Sequence, residues 1–174
     1  MDYLFETDRL RVRAMIPDDA ERLYAIHAED AVRRWFPNEC YADVAEARDA
    51  AGFFADCVRE KRLPYVLAVE LKSTGELIGD TGISEVEGRP EETEIGYVIG
   101  EAWRGKGCAT ELVRAMTAFA ARQFGSRVIW GRVLHGNAAS ARVLEKSGYA
   151  FVREESGAED DPYGNGMLVY RKDG

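Results

Sequence analysis

The chain has 174 residues, 46% of them hydrophobic and 31% charged, which bounds it to one globular domain with room for a substantial core. Its formal net charge of −8 excludes the broad basic face that nonspecific nucleic-acid binding needs, and it suits a cationic substrate. No apolar run reaches the length of a membrane span, and the first residues lack the basic-then-apolar pattern of a signal peptide, so a single cytoplasmic domain over residues 1–174 is expected.

The elements follow in chain order. Arg9–Ile16 alternates apolar and polar residues and reads as a strand. Pro17-Asp18-Asp19 opens a helix to about Glu29, with proline in its first turn and acids at its positive end; Ala20, Leu23, Ile26 and His27 share one face. Val32–Tyr41 reads as irregular, with aromatics at Trp35 and Phe36 and a break at Pro37. A second helix is expected from Ala42 to about Arg62, burying Val44, Ala47, Ala51, Phe54 and Val58. Three strands follow: Tyr65–Leu71, Leu77–Val86 and Thr93–Ile99, separated by turns at Ser73-Thr74-Gly75 and Gly88-Arg89-Pro90. A third helix from Thr110 to about Phe124 sets Ala109, Leu112, Val113, Met116, Ala120 and Phe124 on one face and ends at Gly125. Arg127–Leu134 is a strand, and Asn137 is placed to cap a fourth helix ending at Gly148. Tyr149–Glu154 and Met167–Arg171 are the last strands, joined by the acidic loop Glu155–Gly166. The order predicts an α/β fold: a mixed six- to seven-stranded sheet with about four helices on both faces.

Between the strand Thr93–Ile99 and the third helix lies Trp103-Arg104-Gly105-Lys106-Gly107-Cys108-Ala109-Thr110-Glu111. A strand, a glycine-rich basic turn and a helix N-terminus make an anion cradle, because backbone N–H groups and the helix dipole point at one spot. Glycine lets a phosphate approach the backbone. Gly100, Gly105 and Lys106 have Walker A spacing, but Gly107 stands where Ser or Thr must hold Mg²⁺, and no apolar strand ending in Asp supplies the second contact. Gly105 and Gly107 begin G-x-G, but Thr110 stands at the third glycine and an N-terminal βαβ unit is missing.

Cys40, Cys57 and Cys108 are scattered without C-x-x-C spacing, which predicts neither a disulfide framework nor a zinc site. Cys108 reads as a small residue that fits the loop, since no base stands at motif spacing. His27 and His135 read as packing or surface residues, although His135 follows a strand and could face a site.

Arg104-x-x-Gly107-x-Ala109 resembles the (Arg/Gln)-x-x-Gly-x-(Gly/Ala) signature of the GNAT superfamily of N-acetyltransferases. Downstream, Asn137-Ala138-Ala139-Ser140 with Leu144-Glu145-Lys146-Ser147-Gly148-Tyr149 resembles that family's second block. Glu6-Thr7-Asp8-Arg9-Leu10-Arg11-Val12-Arg13 resembles the first strand of the branch that includes the ribosomal-protein N-terminal acetyltransferases. Three blocks in the right order cover nearly the whole chain. The resemblance implies the acetyltransferase fold, in which Thr93–Ile99 and Arg127–Leu134 run parallel and splay apart. It implies acetyl-CoA as co-substrate and no metal. The pyrophosphate would lie on Arg104, Gly105, Lys106, Gly107, Cys108, Ala109 and Thr110, with Arg104 and Lys106 as point charges. The pantetheine arm would pair with backbone near Val98 and Ile99, and Asn137 would bridge arm and strand while also capping its helix.

The reaction implied is direct acetyl transfer from a thioester to a primary amine of a protein or peptide N-terminus or of a small molecule. The amine must be neutral to attack, so a base or ordered water takes its proton. Glu94, on the strand beside the gap, is the candidate base; a solvated carboxylate paired with Arg or Lys fits the sequence equally well. Ser140 is the candidate acid, on the same side of its helix as Asn137. A helix-capping hydroxyl is the other reading of Ser140. Many family members carry a tyrosine seven residues after the asparagine to protonate the thiolate; here that position is Leu144. By analogy, Val32–Tyr41 and the second helix line the acceptor cleft, where Trp35 and Phe36 flank a substrate or plug the core. A catalytically silent acyl-CoA sensor would keep the same loop. Nucleic acid and membrane are not expected partners, and the protein is expected to be a monomer or homodimer.

Overall fold

The computed structural model describes residues 2–157 and 166–174. Eight strands form one sheet: β1 (Tyr3–Glu6), β2 (Leu10–Ala14), β3 (Tyr65–Leu71), β4 (Leu77–Val86), β5 (Arg89–Ile99), β6 (Val128–Leu134), β7 (Ala150–Glu155) and β8 (Met167–Asp173). Their spatial order is β1-β2-β3-β4-β5-β6-β8-β7. Every neighbouring pair is antiparallel except β5 and β6. That parallel pair runs only from Glu92 opposite Val128 to Ile95 opposite Gly131. Beyond it, β5 stays paired with β4 as far as Ile99, and β6 stays paired with β8 as far as Leu134. The sheet therefore opens as a V from Gly96 on one side and Arg132 on the other.

Side-chain alternation along the strands divides the core into two layers. Ala68 and Val98 pack under α1 (Ala20–His27), α2 (Asp30–Trp35) and α3 (Val44–Arg59). Leu67, Val69, Ile95 and Ile99 pack under α4 (Cys108–Phe124) and α5 (Ala138–Lys146). Of the stripe predicted on α4, Leu112, Val113, Met116 and Ala120 are fully buried, while Ala109 and Phe124 are half-buried. Gly125 ends that helix at φ 65°, a left-handed conformation that side chains resist. The Asn137 side chain accepts from the Ser140 N–H at 3.2 Å, which caps α5 as predicted.

The eighth strand is β1, which the sequence reading missed. Its four residues bury only Phe5, so no period is detectable. Pairing with β2 and the stacking of Phe5 on Phe119 (4.9 Å between ring centroids) hold it. A fifth helix, α2, occupies part of the segment read as irregular; it buries only Val32. The helix predicted from Pro17 begins as a 3-10 turn, Pro17–Asp19, before α1. Here Asp19 accepts from the Ile16 N–H (2.9 Å) and holds Arg13 in a bidentate pair (2.7 and 2.8 Å). Arg13 also donates to Glu70 at 2.6 Å, so one buried guanidinium ties β2 to the turn and to β3. The acidic loop expected before Met167 lies largely outside the described residues.

Candidate active site

The glycine-rich turn sits at the open end of the V. Gly105 and Gly107 adopt φ 72° and 82°, and Gly107 is the N-cap of α4. Glu111 N–H closes the first helical turn onto Gly107 O (3.1 Å), so the N–H groups ahead of it are the open donors of a helix N-terminus. The turn is held from outside by the start of β2. Arg9 donates from Nε to Glu111 (2.7 Å) and from Nη1 to Lys106 O (2.8 Å), while its N–H and the Thr7 hydroxyl bond the other Glu111 oxygen (2.9 and 2.5 Å). Arg104 donates to Ile99 O (2.8 Å) and pairs with Glu29 (2.9 Å).

Two clefts meet inside the V. One, about 380 Å³, runs from the turn along Val98 and Ile99 to α5. Gly105, Gly107, Cys108, Ala109 and Thr110 line one end of it, and Arg142 and Lys146 add cationic side chains. The other, about 470 Å³, lies on the α1–α3 face of the sheet and is lined by Glu39, Glu46, Asp80 and Glu94 among apolar walls. His27 and Arg132 are its basic side chains. Buried His27 bonds Asp80 through Nε2 (2.7 Å) and the Glu39 carbonyl through Nδ1 (2.6 Å). Burial by itself would lower the His27 pKa, but Asp80 and the Glu39 carbonyl outweigh it and the pKa is raised. Glu94 lies 3.3 Å from Arg132; burial lifts its pKa above the ordinary carboxylate value, with Arg132 opposing.

Trp35, Phe36, Tyr97, Asn137 and Ser140 line both clefts. At this junction the Tyr97 hydroxyl and Ser140 Oγ are hydrogen-bonded at 2.9 Å. Burial pushes the Tyr97 pKa up to about 12, so its hydroxyl keeps its proton at neutral pH.

A family model described as "Acetyltransferase (GNAT) domain" matches residues 9–150. The chain belongs to the GNAT acetyltransferase family. It is thus an acetyl-CoA-dependent N-acetyltransferase. The uncharacterized N-acetyltransferase YoaA of Bacillus subtilis is 33% identical over 84% of this chain and 82% of its own length. The ribosomal protein uS5-alanine N-acetyltransferase of Escherichia coli is 30% identical over 83% of this chain and 79% of its own. The ribosomal-protein alpha-N-acetyltransferase RimL, solved with coenzyme A, superposes with a TM-score of 0.85 at 15% identity, over 99% of this chain and 98% of that one.

In this acetyltransferase the predicted residues Val98, Ile99, Arg104, Gly105, Gly107, Cys108, Ala109, Thr110 and Asn137 all line the loop cleft. Lys106 does not: its Nζ donates to Ala102 O at 2.7 Å, outside the lining. Glu94 lines the acidic cleft and Ser140 lines both. Trp35 and Phe36 are walls of both clefts, and Phe36 also packs against the core under α1–α3. His27 is a packing residue, as read, while exposed His135 lines neither cleft. Sequence reasoning missed Tyr97, Asp80 and Arg132, and it placed Glu39 only within the segment expected to line the acceptor cleft. Strand alternation from Glu94 would have sent Tyr97 to the opposite face, and only the splay of β5 from β6 brings that face into the site. Among the described residues no cluster of side chains could hold a metal ion, and no helix is long and apolar enough to cross a membrane.

Proposed function

We propose that this acetyltransferase acetylates the N-terminal amine of a peptide or protein. The carrying observation is the meeting of two clefts at Tyr97, Asn137 and Ser140, with Glu94 on the acidic side. Acetyl-CoA occupies the loop cleft: pyrophosphate on the open N–H groups from Gly105 to Thr110, pantetheine along the unpaired edge of β5 at Val98 and Ile99, with Asn137 beside it. Arg104 shapes the turn through Ile99 and Glu29 and lines the loop cleft. An ammonium group is drawn into the acidic cleft by its carboxylates. The relative from Escherichia coli is named for an alanine of ribosomal protein uS5, which supports a protein amine over a small molecule.

In this scheme Glu94, directly or through one water, takes a proton from the bound ammonium, and its raised pKa suits a base near neutral pH. The neutral nitrogen attacks the thioester carbon. The C–N bond forms, the tetrahedral oxyanion collapses and the C–S bond breaks. The nitrogen's second proton passes to the Ser140 hydroxyl as that hydroxyl gives its own proton to the departing thiolate, and Tyr97 aligns Ser140 for this relay. The test is calorimetry with acetyl-CoA, CoA and Mg-ATP, followed by thiol release across short peptides, lysine side-chain amines and polyamines. Acetyl-CoA binding with thiol release on peptide N-termini is the expected result. Turnover on polyamines alone would overturn the acceptor class. Acetyl-CoA binding without turnover on any amine would favour a silent sensor.

A further inference from the structure

Four glycines of the central sheet fall into two kinds. A Cβ at Gly79 would strike Val98 O, and one at Gly131 would meet Leu144 Cδ1 at 2.9 Å, so packing requires glycine at both. Gly82 and Gly96 differ. A Cβ at Gly96 meets nothing within 4 Å, and one at Gly82 meets only Tyr65 O and Val66 Cγ2 at 3.9 Å. Neither glycine has a positive φ. Both lie inside strands, where glycine weakens the strand and β-branched residues fit better. They stand directly opposite one another in the β4–β5 register. Fold stability therefore gives no reason for either, and together they leave a bare patch of backbone.

The patch faces the acidic cleft. Glu94, Gly96 and Val98 share one face of β5, at roughly 6.7 Å per two residues. Gly96 thus lies midway between the carboxylate proposed as base and the strand edge proposed to carry the thioester. A nitrogen that must touch both passes over Gly96. We propose that Gly82 and Gly96 form the seat of the acceptor's amine-bearing carbon and set how large a substituent that carbon can carry. This inference rests on the peptide-amine reading above and gives that site a size rule: a small first residue, with its side chain in contact with the bare strands.

The experiment compares wild type, Gly96→Ala and Gly82→Ala on three otherwise identical peptides beginning with Gly, Ala or Val. It measures kcat/KM for each, acetyl-CoA affinity by calorimetry and Tm. One methyl group forced into such a pocket changes discrimination about 10- to 200-fold. Gly96→Ala is expected to lower kcat/KM by that factor for the Ala- and Val-first peptides and much less for the Gly-first peptide. Gly82→Ala is expected to shift the same ranking. Acetyl-CoA affinity and Tm should hold at or above wild type. An unchanged ranking, an equal loss on all three peptides, or a parallel loss of acetyl-CoA affinity would overturn the assignment. Wild type inactive on all three peptides would overturn the peptide-amine reading and this inference with it; the wild-type data alone report that failure.

Discussion

Replacing Arg9 by alanine asks whether the conformation of the glycine-rich turn is held from a strand distant in sequence. The side chain makes two short contacts to one Glu111 oxygen, from Nε (2.7 Å) and Nη2 (2.6 Å), and one bond from Nη1 to Lys106 O (2.8 Å). It is 46% exposed, so solvent screens the ion pair, which is worth under about 1 kcal/mol. The bond to the Lys106 carbonyl adds about 0.5–1.5 kcal/mol. The sum, about 1–2 kcal/mol, restrains the turn before any ligand arrives. If binding must restore that order, acetyl-CoA affinity falls about 5- to 30-fold. Arg9 lines neither of the two meeting clefts, so kcat at saturating acetyl-CoA and the KM for the amine should stay near wild type. Calorimetry with CoA and initial rates under both substrates read these quantities. Glu111→Gln is the control: it weakens the clamp but keeps the Arg9 charge, and it should reproduce most of the loss. If Arg9→Ala lowers Tm while CoA affinity is unchanged, the clamp stabilises the fold only. If Glu111→Gln leaves affinity intact while Arg9→Ala does not, Arg9 acts as a direct phosphate contact and the positioning argument fails.

Glu94→Gln should lower kcat about 100- to 10,000-fold and remove the acid limb of the pH–rate profile. That limb lies above the ordinary carboxylate range, because burial raises the Glu94 pKa and only the ionised form accepts a proton; an unchanged profile would remove Glu94 from the mechanism. Tyr97→Phe and Ser140→Ala should each slow turnover, with the double variant little worse than Ser140→Ala alone, since the two hydroxyls act through one bond; fully additive losses would separate them. Arg13→Ala leaves Asp19 and Glu70 buried without their cation, so urea unfolding should show a loss of about 3–5 kcal/mol; a loss under about 1 kcal/mol would contradict the buried network. The His27 pKa is raised in the folded state, so its charged pair with Asp80 contributes fully below about pH 6.5 and is lost as pH rises through the folded value. The stability gap between wild type and His27→Gln should therefore shrink from mildly acid to alkaline pH, and a gap independent of pH would mean that His27 is neutral throughout.

The elements that sequence made legible are those with a long period or a punctuating residue. The stripe on α4, the glycine that ends it and the asparagine that starts α5 each carry their own local cause. The missed elements lack one. β1 exists because β2 offers an edge and Phe119 offers a ring, and both partners lie outside its own four residues. The site divides in the same way. The turn at Gly105 and Gly107 could be read because closely spaced glycines before a helix mark a tight positive-φ turn. Tyr97 could not, because its role depends on β5 parting from β6 after Ile95 and on α5 bringing Ser140 to within 2.9 Å. Asp80 and Glu39 are joined only through His27, over sequence separations of 53 and 12 residues.

The same view explains why three short blocks, each weak alone, identify one fold. The first block is bound to the second: Thr7 and Arg9 close on Glu111 and on the Lys106 carbonyl, across about a hundred residues of chain. The second meets the third inside the V, where the loop cleft runs from Gly107 to Asn137 and Ser140. In the third block, Leu144 is buried against Gly131 and lines neither cleft, so α5 offers the junction Ser140 instead of a side chain one turn further on. The hydroxyl behind Ser140 then comes from β5, as Tyr97. A hydroxyl supplied from the strand to stand behind one on the helix needs no new element, only a sheet already split between β5 and β6.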